Sequence, residues 1–118
     1  KVLGDKHPQV HMGYDIRAQS ADALGDRALA MASYRELVAL REAALGADDA
    51  RTVDAAWQLE GLLRQSGKAA EADALRARYV TPLLQAKLDT LSEAQVAKRK
   101  DILATEREEA LAARAGAK

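Results

Sequence analysis

The two histidines have the spacing that comes nearest to a metal site. His7 and His11 stand four residues apart, which on a helix would place both imidazoles on one face, where they can bind a metal ion. Pro8 stands between them and favours a turn that leaves His7 before the helix. Asp15 could add a third ligand, but the chain has no cysteine to complete the set. We therefore predict a turn at this place, with no metal and no cofactor.

No arrangement of residues in the sequence predicts catalysis. The four serines have no neighbouring histidine and aspartate to activate them, and no glycine-rich phosphate loop or cysteine nucleophile is present. The many carboxylates are typical of solubilising helix surfaces. We therefore predict a protein that is not an enzyme and that has no catalytic residues.

The charges of the chain argue against nucleic acid and membranes as partners. The 18 basic and 18 acidic side chains cancel, so no net field attracts a polyanion or an anionic lipid surface. The compact basic run at 98–100 is followed by acidic residues, a mixture typical of an exposed helix face. No apolar run approaches the roughly 20 residues of a membrane span, and no signal-peptide pattern opens the chain. We expect a cytoplasmic protein.

Evenly spaced glycines indicate how the chain is organised. Gly4, Gly25, Gly46 and Gly67 follow one another at 21-residue steps, with alanine-rich, helix-forming sequence between them. A glycine in each turn between antiparallel helices of similar length would produce this pattern. Two steps make a 42-residue unit, and a fixed period of about 20–50 residues is typical of a solenoid. Because the chain opens inside a Leu-Gly turn, we expect an excerpt of a longer array.

The apolar stripes and capping residues predict six helical segments. Asp48 and Asp49 suit the start of the third helix, and Ser92 with Gln95 forms a capping-box pattern before the last one. Pro82 inside the fourth helix predicts a kink or a break, because proline removes a hydrogen bond and clashes with the preceding turn. The expected segments are 9–23, 26–45, 50–65, 68 to the Thr81-Pro82 step, 83–89 and 93–114.

Residues at corresponding positions of the two 42-residue units resemble the tetratricopeptide repeat, in the variety found in kinesin light chains. The first unit has Tyr14, Ala18, Ala21, Gly25, Ala30, Tyr34, Leu37 and Val38 at the family's landmark positions. The second has Ala56, Leu59, Leu63, Gly67, Ala72, Tyr79 and Val80. His7-Pro8 also matches the turn between repeats, whereas Asp49-Ala50 departs from it.

Three other residues depart from the family pattern. Arg17 stands where the family prefers leucine, Glu60 where it prefers a small residue and Arg76 where it prefers an aromatic one. The last two are expected to loosen packing in the second unit. The resemblance covers 3–80, which predicts repeats at 9–45 and 50–81 within residues 1–81. Residues 82–118 are expected to form a C-terminal helical extension or cap.

The resemblance implies an all-α, right-handed helix-turn-helix solenoid of about two units with a C-terminal capping helix. It also implies a non-catalytic protein–protein interaction module, whose concave face binds a peptide segment or a partner domain. Trp57 with Arg64 would offer an aromatic anchor beside a charge that holds a carboxylate. Alternatively, Trp57 packs between helices, and the acidic residues form either a solvated face or a surface for basic segments. The implied groove positions are Met12, Asp15, Gln19, Asp22, Asp54, Trp57, Arg64 and Gln65.

The last helix leaves two further roles open. It can cap the solenoid by packing Val96, Leu103 and Leu111 on the last repeat, which is the favoured interpretation. It can instead self-associate with a second copy, because Val96, Leu103 and Ala110 form a narrow stripe at sevenfold spacing. The alternative function is therefore a structural capping or self-association element. The family also occurs in larger bacterial multidomain signalling proteins, beside kinase, nucleotide-binding or protease domains.

Overall fold

The computed structural model describes residues 8–116, which form five helices joined by short turns and no strand. Helices α1, α2 and α3 are Pro8–Ala23, Arg27–Leu45 and Ala50–Gln65. Helix α4 is continuous over three segments, Ala69–Leu75, Arg76–Val80 and Thr81–Gln85, and α5 is Glu93–Gly116, with a 3₁₀ turn at Leu88–Thr90 between them. The all-α class is therefore confirmed for residues 8–116, while Gly4 and His7 lie outside the described residues.

The turns at Gly25 and Gly67 have the same hydrogen bonds as well as the predicted spacing. Gly25 and Gly67 have φ values of 80° and 77°, a conformation that side-chain-bearing residues rarely adopt. The N–H of the next residue, Asp26 or Lys68, donates to the carbonyl five residues earlier, at 2.8 Å in both turns. This is the hydrogen bond of a Schellman helix end, and it recurs with a 42-residue offset. Gly46 also has a positive φ, of 96°.

The predicted capping residues are confirmed at two helix starts. The Asp49 carboxylate accepts a hydrogen bond from the Arg51 backbone N–H at 2.9 Å. Before α5, the Ser92 N–H donates to the Gln95 side chain at 2.8 Å, and the Gln95 N–H donates to the Ser92 hydroxyl at 3.2 Å. These bonds satisfy donors that the first turn of a helix leaves without partners, so the starts of α3 and α5 are fixed locally.

The sequence predicts a kink or a break at Thr81-Pro82, and the break is wrong because helical backbone continues through this step. A π-helical turn at Arg76–Val80 precedes the proline, and the Thr81 N–H donates to the carbonyl of Arg76, five residues back. The wider turn accommodates the pyrrolidine ring and the missing N–H, which a regular α-helix cannot do without distortion. The following α-helical segment ends at Gln85 rather than at the predicted Asp89.

Two apolar clusters hold the helices together. Helices α1 to α4 pack in chain order around a cluster that contains most of the landmark residues of the two 42-residue units, such as Tyr34, Leu37, Leu59 and Leu63. A second cluster joins α3, the end of α4 and α5, and its members are Val53, Val80, Leu83 and Ile102, with Trp57, Leu84 and Leu91 at its edge. The second cluster is the place where α5 docks.

The prediction that Leu103 and Leu111 pack α5 on the last repeat is wrong. Ile102 is the buried apolar residue of α5, while Leu103 and Leu111 are 49% and 52% exposed. The face that packs on α3 contains Gln95, Lys98 and Glu106 as well as Ile102. A pattern of apolar residues alone could not identify a face that is polar at most of its positions.

Candidate functional site

An open cleft of about 740 Å³ lies between α3 and α5, and we call it the α3–α5 cleft. Its floor and walls combine side chains from all five helices. Its volume lies within the roughly 300–1,000 Å³ that is usual for small-molecule sites. Among the residues that line it are Asp22, Tyr34, Trp57, Gly61, Arg64, Gln65, Arg76, Asp101, Glu106 and Glu109.

The eight predicted groove residues do not all line the α3–α5 cleft. Four of them line the α3–α5 cleft, namely Asp22, Trp57, Arg64 and Gln65. Met12 is exposed on α1, and Asp15 pairs with Arg41 at 3.5 Å and accepts a hydrogen bond from Gln19 at 2.9 Å. Asp54 is paired with Lys98 of α5 at 2.8 Å.

Trp57 is one of the contacts through which α3 meets α5. Its indole N–H donates to the Glu106 carboxylate at 3.1 Å, and the Lys98 ammonium lies 5.6 Å from the centroid of its ring. A cation at this distance is attracted by the face of an aromatic ring. Trp57 therefore combines both interpretations from the sequence, since it lines the cleft and also packs between helices at the edge of the second cluster.

Arg64 is already engaged by carboxylates of its own chain. Its guanidinium pairs with Glu60 at 3.0 Å and with Asp73 at 2.8 Å. A partner's carboxylate at Arg64 would therefore share the guanidinium with these ion pairs. The backbone carbonyl of Gln65 accepts a hydrogen bond from the Arg27 guanidinium at 3.3 Å.

The two departures of the second repeat from the family pattern form an ion pair with each other. Glu60 is 4% exposed and accepts hydrogen bonds from Arg76 at 3.2 Å and from Arg64 at 3.1 Å. Arg76 also donates to both carboxylate oxygens of Glu106 at 2.8 Å, which is a bidentate contact. At these positions charge pairing replaces the apolar contact that the family pattern predicts, and it connects α3, α4 and α5.

Sequence reasoning missed Glu106, Lys98 and Tyr34 as residues of this region. The sequence contains a signal for Glu106, because Glu60 and Arg76 depart from the repeat pattern with opposite charges on neighbouring helices. The guanidinium of Arg76 has more N–H donors than its bonds to Glu60 use, so a second carboxylate was to be expected near it. No pattern in the sequence identifies which of the acidic residues of α5 would supply that carboxylate.

The ion pair between α4 and α5 makes stability depend on pH. The Arg76 guanidinium beside Glu106 holds the pKa of that carboxyl below its usual range, and the Trp57 N–H acts in the same direction. A folded-state pKa below the unfolded one gives stability that is present above about pH 4.3 and is lost as the pH falls. Hydrogen bonds from the Tyr79 and Arg78 side chains lower the pKa of the Glu42 carboxyl in the same way.

We expect the free energy of unfolding to fall as the pH is lowered through the acidic range, and Glu106→Gln to make that fall shallower. Urea unfolding followed by circular dichroism at a series of pH values measures both. Glu108→Gln, which removes an exposed carboxylate of the same helix, is the matched control and should leave the slope unchanged. Equal slopes for wild type and Glu106→Gln would contradict the assignment.

Tyr34 is a buried side chain whose hydroxyl oxygen stays accessible at the cleft. It is 5% exposed and lines the α3–α5 cleft, and within residues 8–116 no group forms a hydrogen bond with its hydroxyl. Burial, together with the negative charges of Asp15, Asp54 and Asp22, raises the pKa of Tyr34 to about 12. The phenol therefore stays neutral at physiological pH and can donate or accept a hydrogen bond.

Neither a metal site nor a membrane-spanning helix is found in the part of the chain that the structure describes. Among residues 8–116, no group of three histidine, cysteine or carboxylate side chains is placed to hold a metal ion. None of the helices in this range combines the length and the apolar character needed to cross a bilayer. His11 is buried in α1, and His7, the other histidine of the predicted turn, lies outside the described residues.

Comparisons with protein-family models, with curated proteins and with solved structures find no match to this chain. The likeness to tetratricopeptide repeats therefore rests on the residues and turns described above.

Proposed function

We propose that this chain is a non-catalytic protein–protein interaction module that binds a segment of a partner protein in the α3–α5 cleft. The observation that carries the proposal is the cleft itself, which brings Asp22, Trp57, Arg64 and Gln65 together at one opening. An open cleft with an aromatic wall and charged edges suits a side chain presented by a peptide. In this proposal the helices form a right-handed repeat of tetratricopeptide type, and Trp57 contributes ring surface while its N–H stays bonded to Glu106.

The glycines of the helices allow a sharp test of the cleft. Gly61 lines it, and a Cβ added there would meet no atom within 4 Å. Gly13 of α1 has the same open surroundings but does not line the cleft. Gly61→Gln therefore fills the cleft without disturbing the core, and Gly13→Gln is the matched control. Both changes remove a helix-interior glycine and should stabilise the fold by roughly 0.5–1 kcal/mol.

We expect peptides selected on the wild-type chain from a random display library to bind Gly61→Gln at least about tenfold more weakly. Fluorescence anisotropy of labelled peptides measures the dissociation constants. The same peptides should bind Gly13→Gln as they bind the wild type. Selected peptides that bind both variants equally, or a selection that yields no specific peptide, would contradict the proposal.

A structural role is the second candidate, and the docking of α5 favours it. Ile102 of α5 is fully buried against Val53, Val80 and Leu83, and ion pairs surround this contact. In this alternative α5 covers the end of a helical array or pairs with a second copy, within a larger signalling protein. Gly61→Gln would leave such a role intact, and light scattering across a dilution series measures self-association. Assembly that depends on concentration and is insensitive to Gly61→Gln would favour this candidate.

A further inference from the structure

The charges that line the α3–α5 cleft do not balance. Its five carboxylates are those of Asp22, Glu60, Asp101, Glu106 and Glu109, and its two guanidiniums are those of Arg64 and Arg76. Glu60 and Glu106 neutralise the guanidiniums from within the chain.

Of the remaining three carboxylates, Asp101 pairs with Lys98 at 3.0 Å. Asp22 and Glu109 form no ion pair within residues 8–116. These two unpaired carboxylates therefore give the opening of the cleft a net negative charge.

The Tyr34 hydroxyl is a second polar group that a ligand at the same place could use. The side chain is more than nine-tenths buried, and its oxygen has no partner among the described residues although it lines the cleft. The hydroxyl oxygen is not itself enclosed, so it can accept a hydrogen bond from a ligand in the cleft. The carboxylate of Asp22, which lines the same cleft, adds negative charge near this hydroxyl and favours a ligand that donates hydrogen bonds and carries positive charge.

We propose that the α3–α5 cleft receives a cationic side chain, arginine or lysine, of the partner segment, with Asp22 and Glu109 as counter-ions and the Tyr34 hydroxyl as acceptor. This inference rests on the proposed function and specifies the chemistry of its partner.

The test uses a tetra-arginine peptide with blocked ends as the probe, with tetra-lysine and tetra-glutamate beside it. We expect the two cationic probes to bind saturably, with backbone amide shifts concentrated at Tyr34, Trp57 and Asp22 in two-dimensional NMR spectra. Tetra-glutamate should cause no saturable shift. The intrinsic fluorescence of Trp57, the single tryptophan of the chain, gives an independent binding curve.

The variants separate a local site from the general effect of charge. Asp22→Asn/Glu109→Gln should weaken cation binding by about tenfold or more, and Tyr34→Phe by a few-fold. Glu36→Gln/Asp89→Asn is the matched control, because it removes the same charge from exposed residues that do not line the cleft. It should change the dissociation constant by less than about twofold.

Three results would overturn the inference: no saturable binding of the cationic probes, shifts located away from the cleft, or equal weakening by the cleft pair and the control pair. These failures can be told apart from failure of the proposed function. One outcome is a set of peptides that bind the wild type, lose affinity for Gly61→Gln and show no preference for arginine or lysine. That result would support the proposed function and contradict the cationic side chain. Cationic probes that bind while no peptide responds to Gly61→Gln would count against the function.

Discussion

Replacing Tyr34 with alanine should lower the free energy of unfolding by about 3 kcal/mol, measured by urea denaturation. The ring is 5% exposed and packs between alanine-rich helices, where small neighbours such as Ala18, Ala30 and Ala56 cannot fill the space it leaves. In a domain of this size the loss is a large part of the roughly 5–15 kcal/mol of total stability.

Tyr34→Phe is the control that separates the ring from the hydroxyl. Because the hydroxyl has no partner within residues 8–116, its removal should change stability by less than about 0.5 kcal/mol. A loss below about half a kcal/mol for Tyr34→Ala would show that α2 does not pack in this register.

Replacing Arg76 with methionine should cost about 2–3 kcal/mol, because it leaves carboxylates on both sides without their main partner. Glu60 is buried and would keep only its pair with Arg64, while Glu106 would keep only the Trp57 N–H. Removing one partner of a buried ion pair costs about 3–5 kcal/mol, and the partners that remain reduce the expected loss. Thermal and urea unfolding measure it.

The matched control for this change is Arg35→Met, which breaks an exposed pair. Arg35 and Glu71 lie 3.0 Å apart, but their side chains are 41% and 45% exposed, so the loss should stay below about 1 kcal/mol. Glu60→Met together with Arg76→Met should recover part of the stability, because an apolar pair can replace a buried ionic one. Equal losses for the two single variants would contradict the role given to the network.

The parts of the fold that the sequence predicts are those that depend on neighbouring residues. Gly25 and Gly67 mark turns because only the local backbone decides their positive φ. Ser92 and Gln95 mark a helix start because both bonds of the capping box lie within one turn. The bounds of α3 follow from the same local rules, from Asp49 at its start to Gly67 after its end.

The parts that the sequence does not predict depend on contacts between distant residues. The docking of α5 uses Lys98, Ile102 and Glu106, and polar residues at such positions are indistinguishable in sequence from a solvated face. The α3–α5 cleft arises from that docking, so its outline could not be predicted before α5 was placed. Half of the implied groove residues line the α3–α5 cleft, whereas Asp54 forms an ion pair with Lys98.

The π-helical turn of α4 sets the direction in which the end of that helix faces. An uninterrupted α-helix rotates by about 100° per residue, which would return Leu83 to within roughly 20° of Ala72, toward the first cluster. The wide turn at Arg76–Val80 absorbs an additional residue and rotates the later positions away, so that Leu83 meets Ile102 in the second cluster. The number of residues in this turn, and not only their chemistry, thus determines where the last helix can attach.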